Sequence, residues 1–162
     1  MKLTKNPRYY PLFWFLLLTW GILSTLPGLL IALGLLICGK KPERLGPLFY
    51  FRVGKNWGGC EMGGMFLRDT TSTEHVTYHE AGHSIQTLMF GPLMPFLISI
   101  PSFLRYHYRN LVKKISPERA KKLPPYDAIW FEGQATRLGK RYFATPPAPA
   151  PAPENEEKEA TQ

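Results

Sequence analysis

From Pro11 to Cys38 no charge interrupts a run whose only polar side chains are Thr19, Ser24 and Thr25. Crossing the hydrocarbon core of a bilayer takes about 20 such residues. The apolar core of a secretory leader is shorter, about 7–15 residues, and no small-x-small cleavage site follows this run. Residues 11–39 are therefore expected to form a retained transmembrane helix behind a basic flank, residues 1–10. Tyr9, Tyr10, Trp14 and Trp20 suit a membrane interface. Pro27-Gly28 predicts a kink near the middle of the run.

The formal net charge of +8 is unevenly spread. The tail from Ala144 carries Glu154, Glu156, Glu157 and Glu159 against Lys158, which leaves 19 basic and 8 acidic side chains, or +11, before it. Such a surplus suits anionic lipid or nucleic acid. No nucleic-acid-binding pattern accompanies it, so membrane lipid is the expected partner and nucleic acid is not. Lys40, Lys41, Arg44, Arg52 and Lys55 after the run outnumber Lys2, Lys5 and Arg8 before it, which favours a cytoplasmic C-terminal side. The two cysteines, Cys38 and Cys60, are too few for a disulfide framework.

Residues 46–143 read as one domain, mainly α with a small β-hairpin. Leu48 to Val53 is aromatic and β-branched. Met65-Phe66-Leu67 is a second short run framed by Gly58-Gly59 and Gly63-Gly64, and its edge is a candidate for pairing with a substrate strand. Thr71-Ser72-Thr73-Glu74 fits a capping box with Thr71 as cap, and predicts a helix from about Ser72 to Phe90, stopped by Gly91-Pro92. The apolar stretch 93–104 is divided by Pro95 and Pro101 and is too short to span, so a re-entrant or interfacial segment is expected. Arg105 to Lys122 is strongly basic and suits a helix lying against headgroups. Asp127 is expected to cap a last helix running to about Tyr142. The Pro/Ala-rich, acidic segment 144–162 reads as a disordered tail.

The chemistry concentrates in His79-Glu80-Ala81-Gly82-His83, an H-E-x-x-H sequence. On a helix, residues four apart share one face, so two imidazoles can reach one tetrahedral ion. Glu80 follows the first ligand, where it can draw a proton from a water polarised by the ion. Ala81 and Gly82 are small enough to admit a neighbouring element close to the metal. The best third ligand is Glu132, which sits in an apolar stripe of Ala128, Phe131, Ala135, Leu138 and Tyr142. An unpaired carboxylate there is costly to bury, and either a metal or a nearby base such as Arg137 would offset the cost. His75 and His107 are weaker ligand candidates, His75 at the cleft and His107 among cations. Tyr106, His107 and Arg137 are candidates for oxyanion stabilisation or outer support of the site. If 85–104 crossed a bilayer, Glu132 would lie on the wrong side, because no later apolar run could return the chain.

Residues 70–90, taken with Trp130-Phe131-Glu132-Gly133-Gln134-Ala135, resemble gluzincin-type zinc metallopeptidases. The Glu132-x-x-Ala135 step is similar to that of membrane-embedded CAAX-type proteases, except that Thr136 stands where those carry an aspartate. The wider pattern His79-Glu80-x-Gly82-His83-x-x-Gln86, Gly91-Pro92-Leu93, Pro101-Ser102 and Glu132 also resembles small bacterial membrane proteins of unknown activity. The resemblance implies a zincin-like helical domain at a bacterial inner membrane. It implies Zn2+ on His79, His83 and Glu132, Glu80 as general base, and a peptide or protein substrate. The competing expectations are a non-catalytic membrane protein with a structural histidine or metal site, and a basic lipid-surface adaptor built on 105–122.

Overall fold

The computed structural model describes residues 2–144. The expected disordered tail, residues 144–162, lies outside the described residues except for Ala144. The chain is mainly helical with one small sheet, as expected. Two helices, α1 (Tyr10–Thr19) and α2 (Ile22–Ile37), lead into strands β1 (Glu43–Leu45), β2 (Leu48–Arg52), β3 (Gly59–Met62) and β4 (Met65–Arg68). Helices α3 (Glu74–Phe90), α4 (Ile100–Ile115), α5 (Pro117–Lys121) and α6 (Trp130–Tyr142) follow.

The expected single span over 11–39 does not form: no single described helix is long and apolar enough to cross a membrane. The chain bends by 102° between α1 and α2, at Trp20-Gly21. At about 1.5 Å per residue, α1 reaches about 15 Å and α2 about 24 Å, both short of a hydrocarbon core. The reason is tertiary. Phe13 and Leu17 of α1 are buried with Leu48, Tyr50, Phe66 and Ala81 in the main core, so α1 belongs to the domain. Gly21 lets the corner press on α3, where a methyl at Gly21 would lie 2.8 Å from Thr87 Cγ2. Pro27-Gly28 is not the bend. Pro27 is carried inside α2, and Gly28 instead admits the Met62 carbonyl oxygen, 2.5 Å from where its Cβ would be.

The sheet is larger than a hairpin. Its order is β1-β2-β4-β3, with β2 and β4 parallel and both outer pairs antiparallel. The expected edge at Met65–Leu67 is thus interior, since β4 pairs on both sides, and the free edge nearer α3 is β3. Gly63, at φ +71, makes the tight β3–β4 turn.

α3 starts two residues later than expected. Thr73 is its N-cap and makes no side-chain cap bond, while Thr71 is occupied by Asp69 and Asn56. It ends as expected at Gly91, whose φ of +53 suits a residue without Cβ. Segment 93–104 does not continue α3. A second bend of 115° is followed by a π-helical turn, Pro95–Ser99, and then α4. The two bends touch, because a methyl on Gly91 would sit 2.2 Å from Trp20 Cε2.

Candidate metal centre

α3 and α6 cross at the level of the histidines, and small residues permit it. A Cβ at Gly82 would lie 1.9 Å from the Ala135 carbonyl oxygen, and one at Gly139 would lie 1.7 Å from that of Tyr78. The backbones therefore meet directly, and Glu132, one turn before Thr136, is delivered to the face holding His79 and His83. All three side chains are buried.

Their donor atoms converge. His79 Nε2 lies 3.0 Å and His83 Nε2 3.3 Å from Glu132 Oε2, and the two ring nitrogens are 3.2 Å apart. A tetrahedral ion with bonds of about 2.0–2.1 Å has ligand atoms about 3.3–3.4 Å apart. The triangle is close to that face, so His79, His83 and Glu132 form a buried group that could hold a metal ion.

The hydrogen bonds behind the rings fix which nitrogens face inward. Asp127 Oδ2 can only accept, so the Thr136 hydroxyl donates to it at 2.8 Å. Thr136 Oγ1 must then accept from His79 Nδ1–H, also at 2.8 Å. The Gln86 amide donates to the Phe131 carbonyl and to Gln134 Oε1, both at 2.8 Å, so its own Oε1 accepts from His83 Nδ1–H at 2.6 Å. Both Nδ1 atoms thereby carry a proton, and both Nε2 atoms face Glu132 Oε2, as N–H donors when the rings are cationic and as lone pairs when they are neutral. That oxygen is buried with the two Nε2 atoms as its polar neighbours among the described residues. With both rings neutral, three lone pairs at this spacing repel unless a cation lies among them. Two core histidines bonded to backbone groups would not look like this. Nor does Arg137 pair with Glu132: it is exposed, and Glu132 Oε1 instead accepts from Ser102.

The electrostatics agree. Burial favours a neutral His83, but the Glu132 hydrogen bond and the charges of Glu80, Glu132 and Glu61 push it up to about 9. Burial would raise Glu132 as well, yet the two histidines hold it well below the usual carboxylate range. The cluster demands positive charge, from a proton or from a metal.

A cavity of about 570 Å³ opens beside the cluster. His75, His79, Glu80 and His83 of α3 line it, with Gly59 to Glu61 of β3 opposite and Ser102, Phe103, Tyr106 and His107 of α4 on a third side. Glu80 lies against β3, its Oε1 2.6 Å from where a Gly59 Cβ would be, and burial raises its carboxyl pKa. Tyr106 and His107 thus line the cavity, and Arg137 does not. His75 lies outside the donor triangle, 3.8 Å from Asp127 Oδ2.

Comparison with protein-family models, curated proteins and solved structures gives no match to the chain.

Four residues of the candidate site escaped the sequence reading in these roles. Asp127 does not cap α6, whose N-cap is Ile129; it stands behind His79 through Thr136. Ser102 bonds the Glu132 carboxylate and lies 3.2 Å from the Tyr126 hydroxyl, which also lines the cavity. Glu61 accepts from Thr87 Oγ1 at 2.9 Å and from Gly63 N–H at 2.6 Å, and burial raises it to about 7. Asp127 stands three residues before α6 and is legible in the sequence only as a cap candidate. Nothing local in the sequence points to Glu61 or Tyr126.

Proposed function

We propose that this protein is a membrane-associated zinc metallohydrolase of gluzincin type that cleaves peptide bonds. One observation carries the reading: both Nδ1 atoms are committed to acceptors, so both Nε2 atoms converge on one buried carboxylate oxygen at tetrahedral spacing. Two imidazoles and one carboxylate are a donor set suited to catalytic zinc, which keeps a fourth position open. His79, His83 and Glu132 would hold the ion, and the ion supplies Lewis acidity that makes water a nucleophile near neutral pH.

The residues of the chain do the rest. Glu80, buried at the cavity wall with a raised pKa, takes the proton of the attacking water and returns it to the leaving amine. Tyr126 is held protonated by its burial, with its pKa raised to about 12, and lines the cavity as a hydroxyl donor for a developing oxyanion. Gly59–Glu61 of the edge strand β3 line the cavity, which favours an extended polypeptide laid along those residues over a compact small molecule. The membrane part rests on exposed apolar side chains of both bent helix pairs, among them Phe15, Leu30, Leu33 and Ile37 before the sheet and Phe96, Phe103 and Leu104 after α3. Short bent helices of this kind suit a re-entrant or interfacial anchor, with the domain on the cytoplasmic side of a bacterial inner membrane.

The test begins with zinc content. Purified protein should carry one zinc, lost in His79→Ala. Glu80→Gln should keep zinc and fold while hydrolysis of an unstructured protein such as casein falls by about 10²–10⁴-fold. A Glu80→Gln protein as active as wild type defeats the mechanism.

A further inference from the structure

The fold does not account for the outer face of α4. None of its residues is buried, and it packs chiefly on the π-helical turn before it and on α5 after it. At about 100° per residue, Ile100, Leu104, Leu111 and Ile115 fall within about 60° of arc, flanked by Phe103 and Tyr108. These six side chains range from 49% exposed at Ile100 to 72% at Ile115.

The opposite side of the same helix reaches the metal centre. Arg105 Nη2 donates to the carbonyls of Pro125 and Tyr126 at 3.1 and 3.2 Å, and Arg109 Nη1 donates to that of Pro124 at 2.6 Å. Ser102 donates to Glu132 Oε1 and touches the Tyr126 hydroxyl. Between the two sides, Phe103, Tyr106 and His107 form a wall of the cavity. The loop that α4 grips carries Tyr126 and Asp127, and Asp127 in turn supports His79 through Thr136.

Charge says what covers the stripe. Arg105, Arg109 and Lys113 are on the side away from the stripe, but Lys114 lies about 40° from its edge, and Arg119, Lys121 and Lys122 follow on α5 against Glu118. A second copy meeting this face would bring these like charges together, whereas an anionic bilayer attracts each unpaired one by about 1 kcal/mol near its surface. An apolar stripe with cations at its C-terminal end is the pattern of a helix lying in the headgroup plane.

We infer that α4 seats on an anionic bilayer, and that this seating tightens the metal site, because one helix both meets the lipid and holds Ser102 and the 124–126 carbonyls in place. The inference rests on the metal and membrane reading above and adds its regulation by the lipid surface. The solvent-exposed stripe leaves α4 free to fray in neutral surroundings; docking removes that freedom and favours the state in which Glu132 is held.

The full chain is reconstituted at one copy per nanodisc, in phosphatidylcholine alone or with phosphatidylglycerol. Amide exchange of α4 and zinc affinity by chelator competition are read in both. Slower α4 exchange and a zinc Kd lower by about fivefold or more in the anionic discs support the proposal. Leu104→Glu/Leu111→Glu should abolish both differences and leave the Kd in neutral discs unchanged. Ser102→Ala should keep the slower exchange and lose the Kd difference. Equal exchange in both discs overturns the docking, and protection that needs two copies per disc assigns the stripe to self-association and overturns it too. Slower exchange with an unchanged Kd overturns the coupling. Absence of zinc from both discs instead sinks the metalloenzyme reading itself.

Discussion

Replacing Asp127 by Asn tests whether the carboxylate behind Thr136 matters to the metal. The path from Asp127 Oδ2 runs through two hydrogen bonds of 2.8 Å each to His79. With the ring and a metal bond of about 2 Å added, the carboxylate lies within roughly 10 Å of the ion. At an effective dielectric of about 20, a unit charge there attracts a dication by about 3 kcal/mol. The Asp127 side chain is 36% exposed, and solvent screening reduces the figure to about 1–2 kcal/mol. Asp127→Asn should therefore weaken zinc binding by about 5–30-fold. Thr136→Val removes the relay instead and leaves His79 Nδ1–H without an acceptor, at a similar cost. Because both act on one path, the double variant should be little worse than either single one. Thr136→Asp in the Asp127→Asn background should restore affinity by bonding His79 directly. Competition against a chromophoric chelator measures each. If Asp127→Asn and Thr136→Val both bind zinc as tightly as wild type while His79→Ala binds none, the reasoning fails.

Three other substitutions separate stability from chemistry. Gly59→Ala would place a methyl 2.6 Å from both Cγ and Oε1 of Glu80; the whole side chain must turn away while the backbone stays, so zinc content should change little while turnover falls by about tenfold or more. Gly82→Ala meets backbone at 1.9 Å and has no such escape, so chemical denaturation should show a loss of about 3 kcal/mol or more. Burial raises the Glu61 carboxyl from its ordinary 4.5 to about 7, so the folded state binds its proton more tightly and stability is lost as pH rises from 4.5 through 7. Glu61→Gln in zinc-free protein should accordingly match wild type near pH 4 and exceed it by about 1–3 kcal/mol above pH 7, as read by denaturation across that range.

The grouping of His79, His83 and Glu132 was legible because its signals are local or chemical. His79 and His83 share a helical face by spacing alone, and Gly91-Pro92 ends their helix by backbone chemistry. Glu132 stands out as a carboxylate in an apolar stripe, which demands a partner. The smallness of Gly82 pointed to a close neighbour, and α6 is that neighbour. What stayed hidden depends on distant contacts. The apolar run looks continuous, but Phe13 and Leu17 are drawn into the main core and Gly21 turns the chain against Thr87. Composition cannot show that β2 pairs in parallel with β4, because the partner is chosen across the β3 hairpin. Thr71 satisfies a capping pattern, yet Asp69 captures it first. Asp127 likewise looks like a cap and is engaged by Thr136 from the next turns of the chain.

The backbone-to-backbone crossing at Gly82 and Gly139 bears on how the ion is acquired. Small zinc domains that lack a core order their chains only as the metal arrives, and most of the binding energy is spent on folding. Here peptide groups in contact set the separation of the two ligand-bearing helices, whatever occupies the space between them. On the proposed reading, an ion would load by entry through the cavity and exchange with a proton on His83, with helix content the same before and after.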